Sequence, residues 1–284
     1  MNVPFVRLVV IGLLALTARL PAQDRNFHIY LCFGQSNMEG FPGIPASEKT
    51  FDDPRFQVLA AVDFPEMHRK QGQWYTAVPP LSRPPAGLSP ADYFGRSLIA
   101  HLPKDIKVGV VNVAVGGCHI QLFDPVNYLE YVANAPEWMK PALHAYDNKP
   151  YERLVTMARE AKKAGVIKGI LLHQGESNTG DPTWPAKVKV IYDRLLHDLD
   201  LEAADVPLLA GEMLSAEAGG KCASMNPIIA TLPETIPTAH VVSSAGCAGL
   251  PDGLHFTPEG YRKLGENYAA TMLSLLPASL SKSP

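Results

Sequence analysis

Short runs of apolar and β-branched residues recur along the chain and alternate with longer segments in which apolar residues follow the helical period. Uninterrupted apolar strands that alternate with amphipathic helices are typical of a parallel sheet covered on both faces. We therefore predict an α/β protein, a three-layer α/β/α sandwich with a central five-stranded parallel sheet. The predicted strands are residues 28–33, 107–113, 167–172, 206–209 and 240–243, and the predicted helices are residues 92–101, 152–164, 186–199 and 258–275.

Two stretches break this alternation. Residues 41–90 are rich in proline and polar residues, include Trp74 and Tyr75, and show no clear period. Residues 116–148 hold further aromatic residues, among them Trp138. Long connections within a compact domain are usually functional or disordered. We expect both stretches to form the walls of a cleft. The alternative is that they are plain surface loops.

The first 22 residues have the features of a secretory signal peptide. Arg7 supplies a positive charge, residues 8–18 form a short apolar stretch, and small residues follow near Ala22. A transmembrane helix needs roughly 20 apolar residues, so this stretch is too short to span a bilayer. We expect cleavage near Ala22 and export to the periplasm or the medium. With 284 residues and 46% hydrophobic content, one domain over residues 23–284 is the expected organisation.

The charge balance argues against a nucleic-acid partner. The full chain has a net charge of −3 at pH 7. Removal of residues 1–22 takes away two arginines and no acidic residue, which leaves 23 basic and 28 acidic residues and a net charge of −5. An excess of negative charge disfavours binding to a phosphate backbone.

The four cysteines are Cys32, Cys118, Cys222 and Cys247. Export makes disulfides possible, and we hypothesise that Cys222 pairs with Cys247, because both lie in predicted loops late in the chain. Buried free thiols are the alternative for all four. No pair shows the Cys-x-x-Cys spacing of a metal site, and we expect no metal.

Polar and glycine-rich sequences follow four of the predicted strands. In open α/β sheets the chemistry lies in the loops after the carboxyl ends of the strands, so these sequences are expected to converge at one edge. They are GQSN at 34–37, GG at 116–117, HQGESN at 173–178 and DGLH at 252–255.

Three residues in these loops suit a nucleophile and its base. Ser36 follows an apolar strand, and a serine hydroxyl attacks a carbonyl only if a neighbouring base takes its proton. His255 is the candidate base, on a loop that a helix start at Thr257 and Pro258 would fix. Asp252 can accept the imidazole Nδ1 proton, which leaves Nε2 facing the serine. Taken alone, each of these motifs is also compatible with a structural turn.

An acyl-transfer site also needs hydrogen-bond donors aimed at the developing oxyanion. The backbone amides of Ser36 and Gly117 are candidates, because glycine lets the chain approach closely, and the side-chain amide of Gln174 is the third. The alternatives are a strand-ending turn at Gly117 and a buried amide that only ties loops together at Gln174. Met38 stands where a G-x-S-x-G elbow has its second glycine, so an ordinary α/β-hydrolase is disfavoured.

Together, GQSNM at 34–38, GG at 116–117, HQGES at 173–177 and DGLHF at 252–256 resemble the SGNH hydrolases, and among them carbohydrate esterase family 6 and the sialate O-acetylesterase domains. The resemblance implies a flavodoxin-like sheet, removal of acetyl groups from sugars and no cofactor. It also implies a triad formed by Ser36, His255 and Asp252.

The same resemblance implies the donors of the oxyanion hole. The glycine amide of the family falls on Gly117, or on Gly116 if the register slips by one. The HQGE block stands where other SGNH hydrolases carry an asparagine, so Gln174 is expected to take that donor role. Acetylated plant polysaccharide such as acetylxylan is the first expected substrate, and O-acetylated sialic acid the second.

Aromatic residues of the two irregular stretches are candidates for a substrate rim. Trp74, Tyr75 and Trp138 could stack on sugar rings, and the alternative is that they are local packing anchors.

Glu176, in the HQGE block, is open to two interpretations. We expect it to support the neighbouring loop, because Asp252 has the shorter sequence route to His255; a role as an alternative carboxylate partner of His255 stays open. His173 is expected to be a core imidazole that donates to a carbonyl.

Two other classes of protein remain open. One is a metal-dependent hydrolase that uses His173, Glu176 and His255, although His-x-x-Glu without a second nearby histidine is a poor ligand set. The other is a non-catalytic carbohydrate-binding domain on the same fold.

Overall fold

A seven-stranded sheet forms the centre of the fold in the computed structural model, which describes residues 23–41, 43–277 and 280. Its strands are β1 (Asp24–Gly34), β2 (Phe56–Leu59), β3 (Trp74–Thr76), β4 (Lys107–Ala114), β5 (Gly165–His173), β6 (Leu208–Gly211) and β7 (Ala239–Val242). The order across the sheet is β3-β2-β4-β1-β5-β6-β7. Neighbouring strands are parallel, except that β3 runs antiparallel to β2 at one edge.

Helices cover both faces of the sheet, so the predicted three-layer α/β/α sandwich is confirmed. Short helices lie in the connections: α1 (Ser36–Glu39), α3 (Tyr128–Ala133), α4 (Lys140–Ala145), α7 (Asn226–Ala230) and α8 (Leu232–Thr235). The long helices α2 (Pro90–His101) and α9 (Pro258–Leu275) cover one face, and α5 (Pro150–Lys162) and α6 (Trp184–Leu199) cover the other. Side chains along β1 point alternately to the two faces of the sheet and so contribute to both hydrophobic cores. Ile29 and Leu31 face α5 and α6, whereas Tyr30 and Cys32 face α2 and α9.

The predicted strand count is too low by two. The five predicted strands correspond to β1, β4, β5, β6 and β7, whereas β2 and β3 lie inside the stretch 41–90 that was interpreted as a cleft wall. These two strands have only four and three residues, too few for a period to show. Phe56 and Val58 of β2 are nonetheless fully buried, so β2 extends the core.

The sheet brings the ends of its central strands to one level. Gly34, the last residue of β1, is paired with Ala114 of β4 on one side and with His173 of β5 on the other. The loops that follow these three strands therefore start side by side at the carboxyl edge of the sheet.

Local sequence signals fix where the helices on one face begin. Ser89 and Asp92 form a capping box at the start of α2. At α9 the Thr257 hydroxyl accepts a hydrogen bond from the Gly260 amide at 3.1 Å, and Pro258 occupies the first turn, as predicted. This cap anchors the chain immediately after His255.

Trp74 and Tyr75 lie away from the carboxyl edge, so their predicted place on a substrate rim is wrong. The Trp74 ring packs on Phe27 with centroids 4.7 Å apart, and a side chain on Gly109 would collide with it. Both contacts fall in the amino-terminal halves of β1 and β4. The Tyr75 hydroxyl accepts a hydrogen bond from the Lys70 amide at 2.8 Å, so this residue is a local anchor.

The predicted Cys222–Cys247 disulfide is also wrong, since all four cysteines are free. Cys222 packs against the core under α5 and α6, whereas Cys247 belongs to the core under α2 and α9. The two thiols thus belong to opposite sides of the sheet.

The predicted signal peptide, residues 1–22, lies outside the described residues. Within the part that is described, no helix is both long and apolar enough to cross a bilayer.

We predict that Trp74→Ala lowers the free energy of unfolding by about 2 kcal/mol, because it removes a half-buried ring from the core. Trp138→Ala is the matched control: this ring is 65% exposed, and its loss is expected to cost less than about 0.5 kcal/mol. Urea denaturation of both variants measures the difference. Equal effects would contradict the assigned packing of Trp74.

Candidate active site

The hydroxyl, imidazole and carboxylate predicted from separate motifs lie in one hydrogen-bonded line. Ser36 Oγ is 2.9 Å from His255 Nε2, and His255 Nδ1 is 2.7 Å from Asp252 Oδ2. Because a carboxylate only accepts, Nδ1 carries the proton and Nε2 is left to accept the hydrogen bond from the Ser36 hydroxyl. The structure therefore gives His255 the tautomer that a general base requires.

Asp252 holds both the ring and the backbone of the loop. Its Oδ1 accepts hydrogen bonds from the amides of Leu254 at 2.8 Å and His255 at 3.0 Å, while Oδ2 binds the ring. Partial burial opposes ionisation of this carboxyl, but these hydrogen bonds outweigh it and lower the pKa of Asp252 to about 2. The carboxylate thus stays charged over the working range of most enzymes.

Phe41 packs against one face of the His255 imidazole. Its ring stacks on that of His255 with centroids 3.8 Å apart and an angle of 20° between the planes. The His255 side chain is left only 13% exposed. Phe41 was not predicted from the sequence, because an aromatic residue at the start of an irregular stretch carries no periodic signal.

The backbone amides of Ser36 and Gly117 donate to no partner within the described chain, and both residues line the same cavity. Gly117 has a φ of +68°, a conformation that favours glycine. A side chain there would also come within 2.4 Å of the Trp138 ring. The neighbouring Gly116 amide donates to Glu39 Oε2 at 3.1 Å and is therefore not available as the alternative donor.

Gln174 does not point a donor at this site, so its predicted oxyanion role is wrong. The side chain is 1% exposed, and its amide nitrogen lies 2.8 Å from Asn178 Oδ1 and 3.2 Å from the Cys118 carbonyl oxygen. Its carbonyl oxygen accepts from the Trp184 indole at 2.5 Å. The other interpretation, a buried amide that ties loops together, describes what the structure shows.

A cavity of about 470 Å³ opens over Ser36 Oγ and His255. Its walls come from both irregular stretches: Arg83, Pro85 and Ala86 from the first, and Trp138 from the second. The remaining lining residues are Gln35, Ser36, Glu39, Gly40, Phe41, Gly116, Gly117, Glu176, Ser177, Cys222, Leu254 and His255.

Glu176 supports the loop that carries the imidazole. Its Oε1 accepts a hydrogen bond at 2.5 Å from Asn37 Nδ2, which also donates to the Leu254 carbonyl at 3.0 Å. The Tyr261 hydroxyl donates to Asn37 Oδ1 at 2.7 Å. Asp252, not Glu176, thus holds the ring of His255, and Glu176 acts on its loop through Asn37.

Burial sets the charge of the groups behind the site. Desolvation raises the pKa of Glu176 to about 7 and lowers the pKa of His173 to about 4. His173 Nε2 lies 3.1 Å from the Glu212 carbonyl oxygen, which fits a neutral ring that donates to the backbone, as expected.

The histidines and Glu176 do not form a ligand set. Both ring nitrogens of His255 are hydrogen-bonded to Ser36 and Asp252, and His173 Nδ1 is 3.9 Å from Glu176 Oε1. In the described part of the chain, no group of three or more histidine, cysteine, aspartate or glutamate side chains is arranged to hold a metal ion.

Two charged residues of the cavity were missed by the sequence analysis. Arg83 Nε donates to Glu39 Oε1 at 2.7 Å, and an Nη atom of Arg83 lies 2.6 Å from the same oxygen. Glu39 directly follows the serine motif, which was a usable signal. Arg83 comes from a proline-rich stretch with no pattern, and only the tertiary structure brings it to Glu39.

Comparisons with known proteins agree with the fold. A family model described as SASA, carbohydrate esterase, sialic acid-specific acetylesterase, matches residues 26–274. A protein from Arabidopsis thaliana superposes with a TM-score of 0.67 at 23% identity, over 88% of this chain and 99% of that one. NanS superposes with a TM-score of 0.60 at 18% identity, over 88% and 98% of the two chains. A carbohydrate acetylesterase from Xanthomonas citri gives 0.56 at 17% identity, over 85% and 55%. These likenesses to solved structures show a shared fold.

We predict that Glu176→Gln stabilises the protein increasingly as pH rises from about 4.5 to about 7. Below pH 4.5 the carboxyl is protonated in both states; above it the unfolded chain ionises first, whereas the folded pKa is about 7, so ionisation favours unfolding. The gain in the free energy of unfolding then levels off at about 3 kcal/mol. Urea denaturation at several pH values tests this. The exposed control Glu137→Gln should show no such trend, and a pH-independent effect of Glu176→Gln would contradict the burial argument.

Proposed function

Because the chain belongs to the carbohydrate esterase family of sialic acid-specific acetylesterases, we propose that it is a serine esterase that removes O-acetyl groups from carbohydrates. Family membership makes the chain a carboxylic ester hydrolase. The observation that carries the finer proposal is the hydrogen-bonded line from Ser36 through His255 to Asp252 on the wall of an open cavity. No cofactor is part of the proposed chemistry.

In the first half of the proposed reaction, Ser36 Oγ attacks the acetyl carbonyl carbon while His255 Nε2 takes the hydroxyl proton. The negative oxygen of the tetrahedral intermediate accepts hydrogen bonds from the Ser36 and Gly117 amides, each worth roughly 3 to 4 kcal/mol in measured cases. The carbon–oxygen bond to the sugar then breaks, and the imidazolium returns its proton to the leaving sugar hydroxyl. The acetyl group is left on Ser36.

In the second half, His255 Nε2 takes a proton from water, which attacks the acetyl-serine carbonyl. The same two amides stabilise the second tetrahedral intermediate. Its collapse releases acetate and returns the proton to Ser36 Oγ. Asp252, held charged by its hydrogen bonds, stabilises the imidazolium in both halves.

The charges that line the cavity favour a neutral sugar. Among the described residues that line the cavity, one is a lysine or arginine, namely Arg83. Its guanidinium is already bound to Glu39 and to the Pro84 carbonyl. Within the described part of this lining, a carboxylate on the substrate therefore meets no unpaired cation, whereas Glu39 and Glu176 also line the space. We propose an acetylated neutral polysaccharide such as acetylxylan ahead of O-acetylated sialic acid.

Trp138 is the proposed platform for the sugar ring. It lines the cavity next to Gly117 and keeps 65% of its surface exposed. An exposed indole presents a flat apolar face together with a polar edge, which suits a sugar ring. We further propose that residues 1–22 direct export, since acetylated polysaccharides lie outside the cell.

We predict that Ser36→Ala lowers kcat for acetate release by on the order of 10⁴-fold or more, with the fold intact by circular dichroism. A fluorophosphonate probe should label the native protein and not the variant, and EDTA should leave the native activity unchanged. Full activity in the variant, or loss of native activity with EDTA, would exclude the serine mechanism.

We predict a higher kcat/KM for acetylated xylo-oligosaccharides than for O-acetylated sialic acid, because the cavity offers no unpaired cation for the sialate carboxylate. Trp138→Ala should raise KM for the xylo-oligosaccharide by about tenfold, which corresponds to the loss of roughly one aromatic contact. Trp74→Ala is the control and should leave KM unchanged. A preference for the sialate, or equal KM effects of the two tryptophans, would contradict the substrate assignment.

A further inference from the structure

Glu39 is a buried carboxylate that lies three residues after the nucleophile. Its side chain is 9% exposed, and each carboxylate oxygen has a partner. Oε1 binds the Arg83 guanidinium, and Oε2 accepts a hydrogen bond from the Gly116 amide at 3.1 Å. Burial raises the pKa of Glu39, and the Arg83 cation and the Gly116 hydrogen bond oppose that rise. A buried charge is costly unless it is paired and hydrogen-bonded, and both oxygens here have partners.

The Glu39 carboxylate, the glycine turn and the nucleophile pack directly against one another. A Cβ on Gly116 would lie 2.9 Å from Glu39 Oε2 and 3.6 Å from Ser36 Cβ. Gly116 is therefore close to both the carboxylate and the serine, and in a close-packed interior a shift of Glu39 is expected to move the turn.

Hydrogen bonds fix this turn at every peptide group except one. The Val115 amide donates to the Gly34 carbonyl, the Cys118 amide to the Val115 carbonyl, and the Ser177 hydroxyl to the Gly117 carbonyl. The Gly116 amide is held by Glu39. Among these described residues of the turn, the Gly117 amide is the donor that has no partner, and Gly117 lines the same cavity as Ser36.

From this arrangement we infer that Glu39 is a positioning residue, whose carboxylate holds the Gly116–Gly117 turn so that the Gly117 amide points at the oxyanion. The inference rests on the proposed serine esterase function and goes beyond it. Glu39 moves no proton in this account, since its two oxygens are taken up by Arg83 and Gly116. Its contribution is the orientation of a donor that works only in the transition state.

The chain offers a matched control for a buried glutamate. Glu48 is also buried and paired with an arginine, Arg96, with side-chain exposures of 4% and 13%, against 9% and 13% for Glu39 and Arg83. Glu48 also accepts from Tyr93 and Arg262, and it does not line the cavity. Loss of Glu48 therefore reports the cost of breaking a buried ion pair without touching the glycine turn.

The test compares Glu39→Ala, Glu39→Gln and Glu48→Ala in acetate release and in the inhibition constant Ki of a small alkylboronic acid, which forms a tetrahedral adduct on serine. We expect Glu39→Ala to lower kcat by about 100-fold, the size of losing one oxyanion donor, with KM changed less than about threefold. Its boronate Ki should rise as kcat/KM falls. Glu39→Gln, which keeps one acceptor oxygen, should lie between native and Glu39→Ala, and Glu48→Ala should lose stability while kcat stays within about twofold of native.

Equal kcat losses in Glu39→Ala and Glu48→Ala, or an unchanged boronate Ki in Glu39→Ala, would overturn the positioning role. If Glu39→Ala does not fold, Glu39→Gln is used in its place. Its boronate Ki is then expected to rise as its kcat/KM falls, and an unchanged Ki would overturn the positioning role. Failure of the proposed function is a different result, since it would show as a native protein that releases no acetate or as a Ser36→Ala variant that does.

Discussion

The parallel pairing of β1 with both β4 and β5 is the constraint on which the site depends. Because Gly34 is in register with Ala114 and with His173, the loops after three strands begin at the same height. Ser36 follows the first, Gly117 the second and Glu176 the third, while the cap of α9 fixes the loop of His255. A slip in register along β1 would move Ser36 away from Gly117 and Asn37 away from Glu176 at the same time.

Carboxylates around this edge have three different environments. Asp252 is partly exposed and accepts three hydrogen bonds, so its pKa falls to about 2. Glu176 is buried with one oxygen lacking a partner, and its pKa rises to about 7. Glu39 is buried as well, but a guanidinium and a backbone amide bind it. The same functional group thus binds an imidazole ring, supports a loop or accepts from a glycine turn, according to what surrounds it.

Much of the site could be predicted because its residues lie in contiguous motifs that follow strands. Ser36, Gly117 and His255 each come directly after an apolar run or before a helix cap, and the structure brings them together. Features that depend on tertiary contacts were either not predicted or predicted wrongly. Strands of three and four residues leave no period, the amide of Gln174 is turned away by Trp184 and Cys118, and Arg83 has no local pattern. Trp74 and Trp138 look alike in sequence and differ only in what packs on them.

The proposed mechanism requires one hydroxyl and two backbone amides to act on the same carbonyl group. A crystal structure of the protein after reaction with a phosphonate ester tests it most directly. We predict a covalent bond from phosphorus to Ser36 Oγ, with the phosphoryl oxygen within about 3 Å of the Ser36 and Gly117 amide nitrogens. An adduct on another residue, or a phosphoryl oxygen turned away from both amides, would contradict it.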